Sequence, residues 1–166
     1  MTKILCKVVT NAQIRAVFLF LQNADEIHHN SDEDKVFDLF IVLDCGDKER
    51  LGSNAKYYDA AKHTFCIDHH VSNPGFAMEN IIVSGASSAS EVLYDLLDED
   101  KISKEVAEAI YTGIIHDSGV FKYSSTSEHT MNVAGKLMSK GIDFQTIIDE
   151  GFYAKTYAQN QIMGSA

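Results

Sequence analysis

Three apolar runs in this chain end in residues able to bind a metal or move a proton. FIVLD stops at Asp44, FCID stops at Asp68 with His69 and His70 directly behind it, and YTGIIHDSG carries His116 and Asp117 after its apolar stretch. Ligands of open α/β sheets collect just beyond the carboxyl ends of the strands, where such residues would converge. Taken singly, an aspartate after a strand is an ordinary turn former or helix cap. Two adjacent histidines behind an aspartate, placed between a buried strand and the turn VSNPGF, are an odd choice for a loop with no task, since imidazole serves metals and proton transfer. Carboxylates and imidazoles at three sheet ends make a mixed oxygen and nitrogen site, which suits Mn²⁺, Zn²⁺ or Fe²⁺.

These residues need strands to deliver them and helices to cover the strands. Lys3 to Val9, Phe37 to Leu43 and Phe65 to Ile67 are mostly apolar, with each run breaking off at polar or glycine-containing sequence, and they read as strands. The continuous run FDLFIVLD, without polar alternation, predicts a strand covered on both faces, as in a parallel sheet flanked by helices. Apolar residues recurring three or four apart predict helices over Asn54 to Lys62, Ser87 to Leu97, Ser103 to Ile115 and Ser127 to Lys140. Ser87 or Ser88 can cap the second with Glu91 in its first turn, Ser103 precedes the third, Ser127 with Glu128 opens the last, and Gly141 ends it. Strands alternating with helices give an α/β fold with right-handed crossovers and helices on both sheet faces.

With 166 residues, 45% of them apolar and 23% charged, the chain is long enough for one hydrophobic core, so residues 1–166 are expected to form a single domain. A formal charge of -10 argues against gripping long nucleic acid, which takes Lys and Arg to release counterions. A short anionic substrate can still approach if divalent cations reverse the local field. Cys6, Cys45 and Cys66 show no C-x-x-C pairing and read as small core thiols. No segment has the length of a membrane span, and MTKILCKVV is too short and polar for a signal sequence, so a reducing cytoplasm is expected.

The runs FDLFIVLDCGDKERLG, CIDHHVSNPGFAMENIIVSGASSASEVLYDLL and YTGIIHDSGVFKYSSTSEHTMNVAGKLMSKGID resemble motifs two, three and four of the DHH phosphoesterases. Within that superfamily the chain is most similar to the branch of NrnA-type oligoribonucleases and 3'-phosphoadenosine 5'-phosphate phosphatases. The resemblance implies a parallel-sheet DHH domain in which Asp44 bridges two Mn²⁺ ions while His69 and Asp117 are ligands of one of them. It further implies that Asp68 supports a neighbouring imidazole, that His70 faces the scissile phosphate, and that a hydroxide shared by two metals attacks phosphorus. Arg50 could steady the Asp44 loop or contact phosphate, and Cys45 and Gly46 are small enough to let that turn pass close to metal.

Members of this family begin with a strand leading to H-x-x-x-D-x-D, which supplies the remaining metal ligands, and usually carry a second, basic substrate domain. This chain starts after the first motif, so the expected domain is incomplete at its N-terminus and has ligands for at most one Mn²⁺. His28, Asp32 and Asp34 copy the H-x-x-x-D-x-D spacing, but Phe37 to Leu43 separates them from Asp44 by roughly 20 Å at about 3.3 Å per residue, too far to share a metal. His63, His129 and the pair His28/His29 read as surface residues, and His116 adjoins the site without a defined task. An absent first strand and helix would leave an apolar sheet face or edge open, which predicts self-association into a homo-oligomer or poor solubility. The expected function is metal-dependent hydrolysis of short oligoribonucleotides and phosphoadenosine phosphate. The alternatives are a catalytically incompetent fragment or non-catalytic module, and a pyrophosphatase or cyclic-dinucleotide phosphodiesterase of the same superfamily.

Overall fold

The computed structural model describes residues 8–10, 18–29 and 35–153. Its sheet consists of the parallel strands β3 (Leu39–Leu43), β4 (His63–Asp68) and β5 (Glu79–Ile82) in that order, and a separate parallel pair is formed by β1 (Val9–Thr10) and β2 (His28–His29). The register sets Leu43 beside Ile67 and Asp68 beside Ile82, so that β3 and β4 end level with each other and deliver Asp44 and His69 to the same edge. Most of the expected strand Lys3 to Val9 lies outside the described residues, as do Cys6, Asp32 and Asp34. The strand β5 escapes a reading by periodicity because its sequence ENII is short and half polar.

Helix α1 (Ala55–Ala60) follows β3, and α2 (Ala89–Leu96), α3 (Lys104–Asp117), α4 (Glu128–Met138) and α5 (Phe144–Ile148) follow the sheet. The serine caps form as expected: Ser88, Ser103 and Ser127 accept hydrogen bonds from the backbone amides of Glu91, Val106 and Thr130, satisfying donors that a helix start leaves open. At Ser127 the reciprocal partner is Thr130 rather than an acidic residue. The main core packs Ile110, Tyr111, Ile114 and Ile115 of α3 against Val133 and Leu137 of α4 and Ile147 of α5. Gly113 of α3 has no side chain because Ser90 of α2 is there: a Cβ would lie 2.0 Å from its Oγ and 2.8 Å from its Cβ.

Helices do lie on both sheet faces. Tyr58 of α1 packs with Val42 and Cys66 on one face, and Val92 of α2 packs with Ile67 on the other. The expectation that β3 is covered on both sides is corrected, because α2 reaches only β4 and β5, and Leu39, Ile41 and Leu43 stay 50–53% exposed. An apolar run without alternation therefore marks two apolar faces, not two buried ones. Parallel neighbours usually need a helical crossover of a dozen or more residues. Here β4 and β5 are joined by residues 69–78 without a helix, and that loop begins with the two histidines.

Candidate metal centre

Asp44 occupies the first position after β3, where its amide donates to the Ile67 carbonyl at 3.1 Å and its backbone turns left-handed at φ 54. Aspartate tolerates this conformation better than most residues, because its short polar side chain can bond locally. The tight turn thus falls on Asp44 itself. Gly46 is not strictly required to be small, since a Cβ there would meet His70 Cβ at an ordinary 3.5 Å.

The residues expected from the sequence converge, but the expected third sheet end is corrected: Asp117 arrives as the last residue of helix α3, so two strand ends and one helix end meet. His69 Nε2 lies 3.5 Å from Asp44 Oδ1 and 3.7 Å from Asp117 Oδ2, and His70 Nδ1 lies 3.7 Å from Asp44 Oδ1. Ligands around one cation at bonds of about 2.1 Å stand roughly 3–3.5 Å apart, so this set is close to a coordination shell. A carboxylate oxygen or ring nitrogen from each of Asp44, His69 and His70 lies within 4.8 Å of the others. His70 Nδ1, however, also sits 2.7 Å from Asp68 Oδ1, and a carboxylate can only accept, so this nitrogen carries a proton and is unavailable to a metal. Among the described residues, Asp44, His69 Nε2 and Asp117 are then the groups gathered to hold a cation.

Asp68 is fully buried, yet burial is outweighed by hydrogen bonds from His70, Asn73 and the amides of residues 69 and 70, which hold its carboxyl below the ordinary range. The hydrogen bond to Asp68 in turn raises the His70 imidazole above its usual range. The imidazole that Asp68 orients is therefore that of His70. His69 has a different support: its Nδ1 faces the Ala86 carbonyl at 3.2 Å, and since a carbonyl cannot donate, Nδ1 bears a proton, which turns Nε2 toward Asp44 and Asp117. Burial, reinforced by the nearby Asp44 charge, pushes Asp117 up to about 6 despite the opposing His69 and His70.

Arg50 takes the first of its expected roles. Its Nε donates to Asp47 Oδ2 at 3.1 Å, and its amide donates to Asp47 Oδ1 at 3.0 Å, so it braces the loop after Asp44. His116 packs edge-on against Phe18 at 4.8 Å and tilted against Phe152 at 5.5 Å. His63 and His28 are exposed and His129 pairs with Asp95 at 3.0 Å, away from the cluster. Cys45 and Cys66 are buried free thiols whose burial raises them above the usual thiol range.

Sequence reasoning missed two supports. Asn73 donates to Asp68 Oδ2 at 2.6 Å and to the Cys45 carbonyl at 3.1 Å, tying the loop after β4 to the loop after β3. It stands in the run CIDHHVSNPGF, so its position was visible though its partners were not. The Ala86 carbonyl has no side-chain signature at all.

The profile described as the DHH family, N-terminal domain, matches residues 2–114. The chain belongs to the DHH family. It is 34% identical over 124 residues to the bifunctional oligoribonuclease and PAP phosphatase NrnA of Bacillus subtilis, an alignment covering 72% of this chain and 38% of that protein. It is 31% identical over 119 residues to a probable protein of the same name from Streptococcus mutans, covering 70% of this chain and 38% of the relative. In fold it matches the crystal structure of an exopolyphosphatase-related protein from Bacteroides fragilis with a TM-score of 0.87 at 24% identity, over 96% of this chain and 50% of that one. The chain thus spans well under half the length of these two curated relatives and half of the solved one. No helix among the described residues is long and apolar enough to cross a membrane.

Proposed function

We propose that this chain carries the metal-binding part of a phosphoesterase that hydrolyses short oligoribonucleotides and phosphoadenosine phosphate. The observation that carries this reading is the meeting of Asp44, His69 Nε2 and Asp117 beside a histidine whose proton is fixed by Asp68. Two carboxylates and an imidazole match the ligand preferences of Mn²⁺. When bound, such a cation supplies Lewis-acid polarisation of a phosphoryl oxygen and a lowered pKa for water.

The chain's own residues do the rest. Asp44 and Asp117 set the negative charge that a cation must offset before an anionic substrate can approach. Asp68 holds His70 by Nδ1, which leaves Nε2 as the nitrogen able to face a substrate, and its raised pKa keeps a larger share of this ring protonated near neutrality. As water adds to phosphorus and the ester P–O bond breaks, His70 Nε2 can pass its proton to the departing oxygen. The names of the Bacillus and Streptococcus relatives support the choice of substrates.

Mn²⁺ titration followed by hydrolysis of a dinucleotide and of phosphoadenosine phosphate tests the proposal. It expects binding that His69→Ala abolishes, and turnover of both substrates. Failure to bind Mn²⁺ would overturn it. A second reading, a module that holds one cation without catalysis, is favoured by the ligand count, since among the described residues Asp44, His69 and Asp117 suffice for one ion. Under that reading the 166-residue chain binds Mn²⁺ but turns over neither substrate, and robust metal-dependent turnover by this chain excludes it.

A further inference from the structure

Glu91 is a carboxylate only 3% exposed, and neither the ligand set nor the proton path uses it. Among the described residues no cation pairs with it: its Oε2 accepts instead from Ser87 Oγ at 2.6 Å and from the Ser87 amide at 3.4 Å, while its own amide donates to the Ser88 cap at 3.0 Å. The amide it receives belongs to the peptide unit between Ala86 and Ser87. The opposite end of that same planar unit is the Ala86 carbonyl, which accepts from His69 Nδ1 at 3.2 Å. A single rigid amide thus has a buried carboxyl group at its N–H and the His69 ring at its oxygen.

We infer that Glu91 is a positioning residue for His69, acting through the Ala86–Ser87 peptide. Hydrogen bonds in a chain polarise one another, and a negative charge at the N–H end makes the carbonyl oxygen a stronger acceptor. A stronger acceptor holds the proton on Nδ1 and orients the ring so that Nε2 is the nitrogen offered to a metal. A carboxylate bonded directly to a ligating histidine achieves the same result; here one peptide group stands between the two. The Ser87 hydroxyl fixes the distance, and with Ser87 and Ser88 both buried, water cannot take over either bond. Glu91 also stands in the first turn of α2, where an acidic residue suits the helix dipole, but that role would be met equally well by a solvent-exposed carboxylate.

The inference rests on His69 being a metal ligand, and its test separates the two claims. The metal-free protein, labelled with ¹⁵N-histidine, is examined at pH 8 by long-range ¹H–¹⁵N correlation, which reports which ring nitrogen of His69 bears the proton. Mn²⁺ affinity is measured in parallel by calorimetry. Wild-type protein is expected to show His69 as the Nδ1–H tautomer. Glu91→Gln keeps the shape and an acceptor but removes the charge; it should shift His69 toward a mixture of tautomers and weaken Mn²⁺ binding about tenfold, the lower end for loss of a ligand's supporting partner. Ser87→Ala, which keeps Glu91 but loses the 2.6 Å bond, should move both readings the same way by less, and it decides the matter if Glu91→Gln does not fold. A Glu91 that merely caps α2 would lower the melting temperature and leave tautomer and affinity unchanged in both variants, which overturns the inference. Wild-type protein with the Nδ1–H tautomer but no Mn²⁺ binding would instead overturn the metal reading.

Discussion

Replacing Asp117 by asparagine should stabilise the metal-free protein and remove most of the stabilisation that Mn²⁺ confers. Burial and the Asp44 charge raise Asp117 from 3.8 to about 6. A shift of about 2 units at ~1.36 kcal/mol each amounts to roughly 3 kcal/mol. Its side chain is 34% exposed, and solvent screening reduces this to about 1–2 kcal/mol. The sign follows from linkage. Because the folded protein binds this proton more tightly than the unfolded chain, the ionised carboxylate costs nothing below pH 3.8, costs progressively more as pH rises, and costs its full amount above about 6. Thermal unfolding in EDTA should therefore show Asp117→Asn melting about 2–8 °C above wild type at pH 7.5, with the gap closing near pH 4. At 100 times its dissociation constant Mn²⁺ should stabilise wild type by ~2.7 kcal/mol, and a variant binding 100-fold more weakly should gain less than about 1 kcal/mol. Asp117→Asn melting below wild type in EDTA at pH 7.5, or responding equally to Mn²⁺, would refute the assignment of Asp117 to a shared cation site.

Asn73→Ala takes a donor from the buried Asp68 and should cost about 2–3 kcal/mol at pH 7, with a smaller loss at low pH once Asp68 is protonated; urea unfolding at the two pH values checks this. Gly113→Ala drives a methyl into Ser90 and should cost about 1–3 kcal/mol while shifting α3 and its terminal Asp117, which calorimetry would see as weaker Mn²⁺ binding. Under the phosphoesterase reading, His70→Ala should retain Mn²⁺ binding but lose about 10²–10⁴-fold in turnover, the usual worth of a positioned proton donor. Ile41→Lys on the exposed face of β3 should reduce self-association in size-exclusion chromatography, and an unchanged elution would show that this face takes no part in it.

The sequence by itself determined which chemical groups are available. Asp44, Asp68, His69, His70 and Asp117 are legible because each follows an apolar run, and because residue type alone limits what a carboxylate or imidazole can do. Helices α2, α3 and α4 were legible for a similar reason: their periodicity and serine caps are local properties of the chain. Tertiary structure alone decided which histidine answers to which support. Asp68 precedes both rings, yet it holds the second, while the first is held by a carbonyl 17 residues away that no side chain announces. It also decided that β3 keeps one apolar face open, because an apolar residue records what could be buried and only the packing of α2 records what is. Local pattern specifies the groups, whereas hydrogen-bond partners distant in sequence depend on where the loops meet, and that is fixed by the register of β3, β4 and β5.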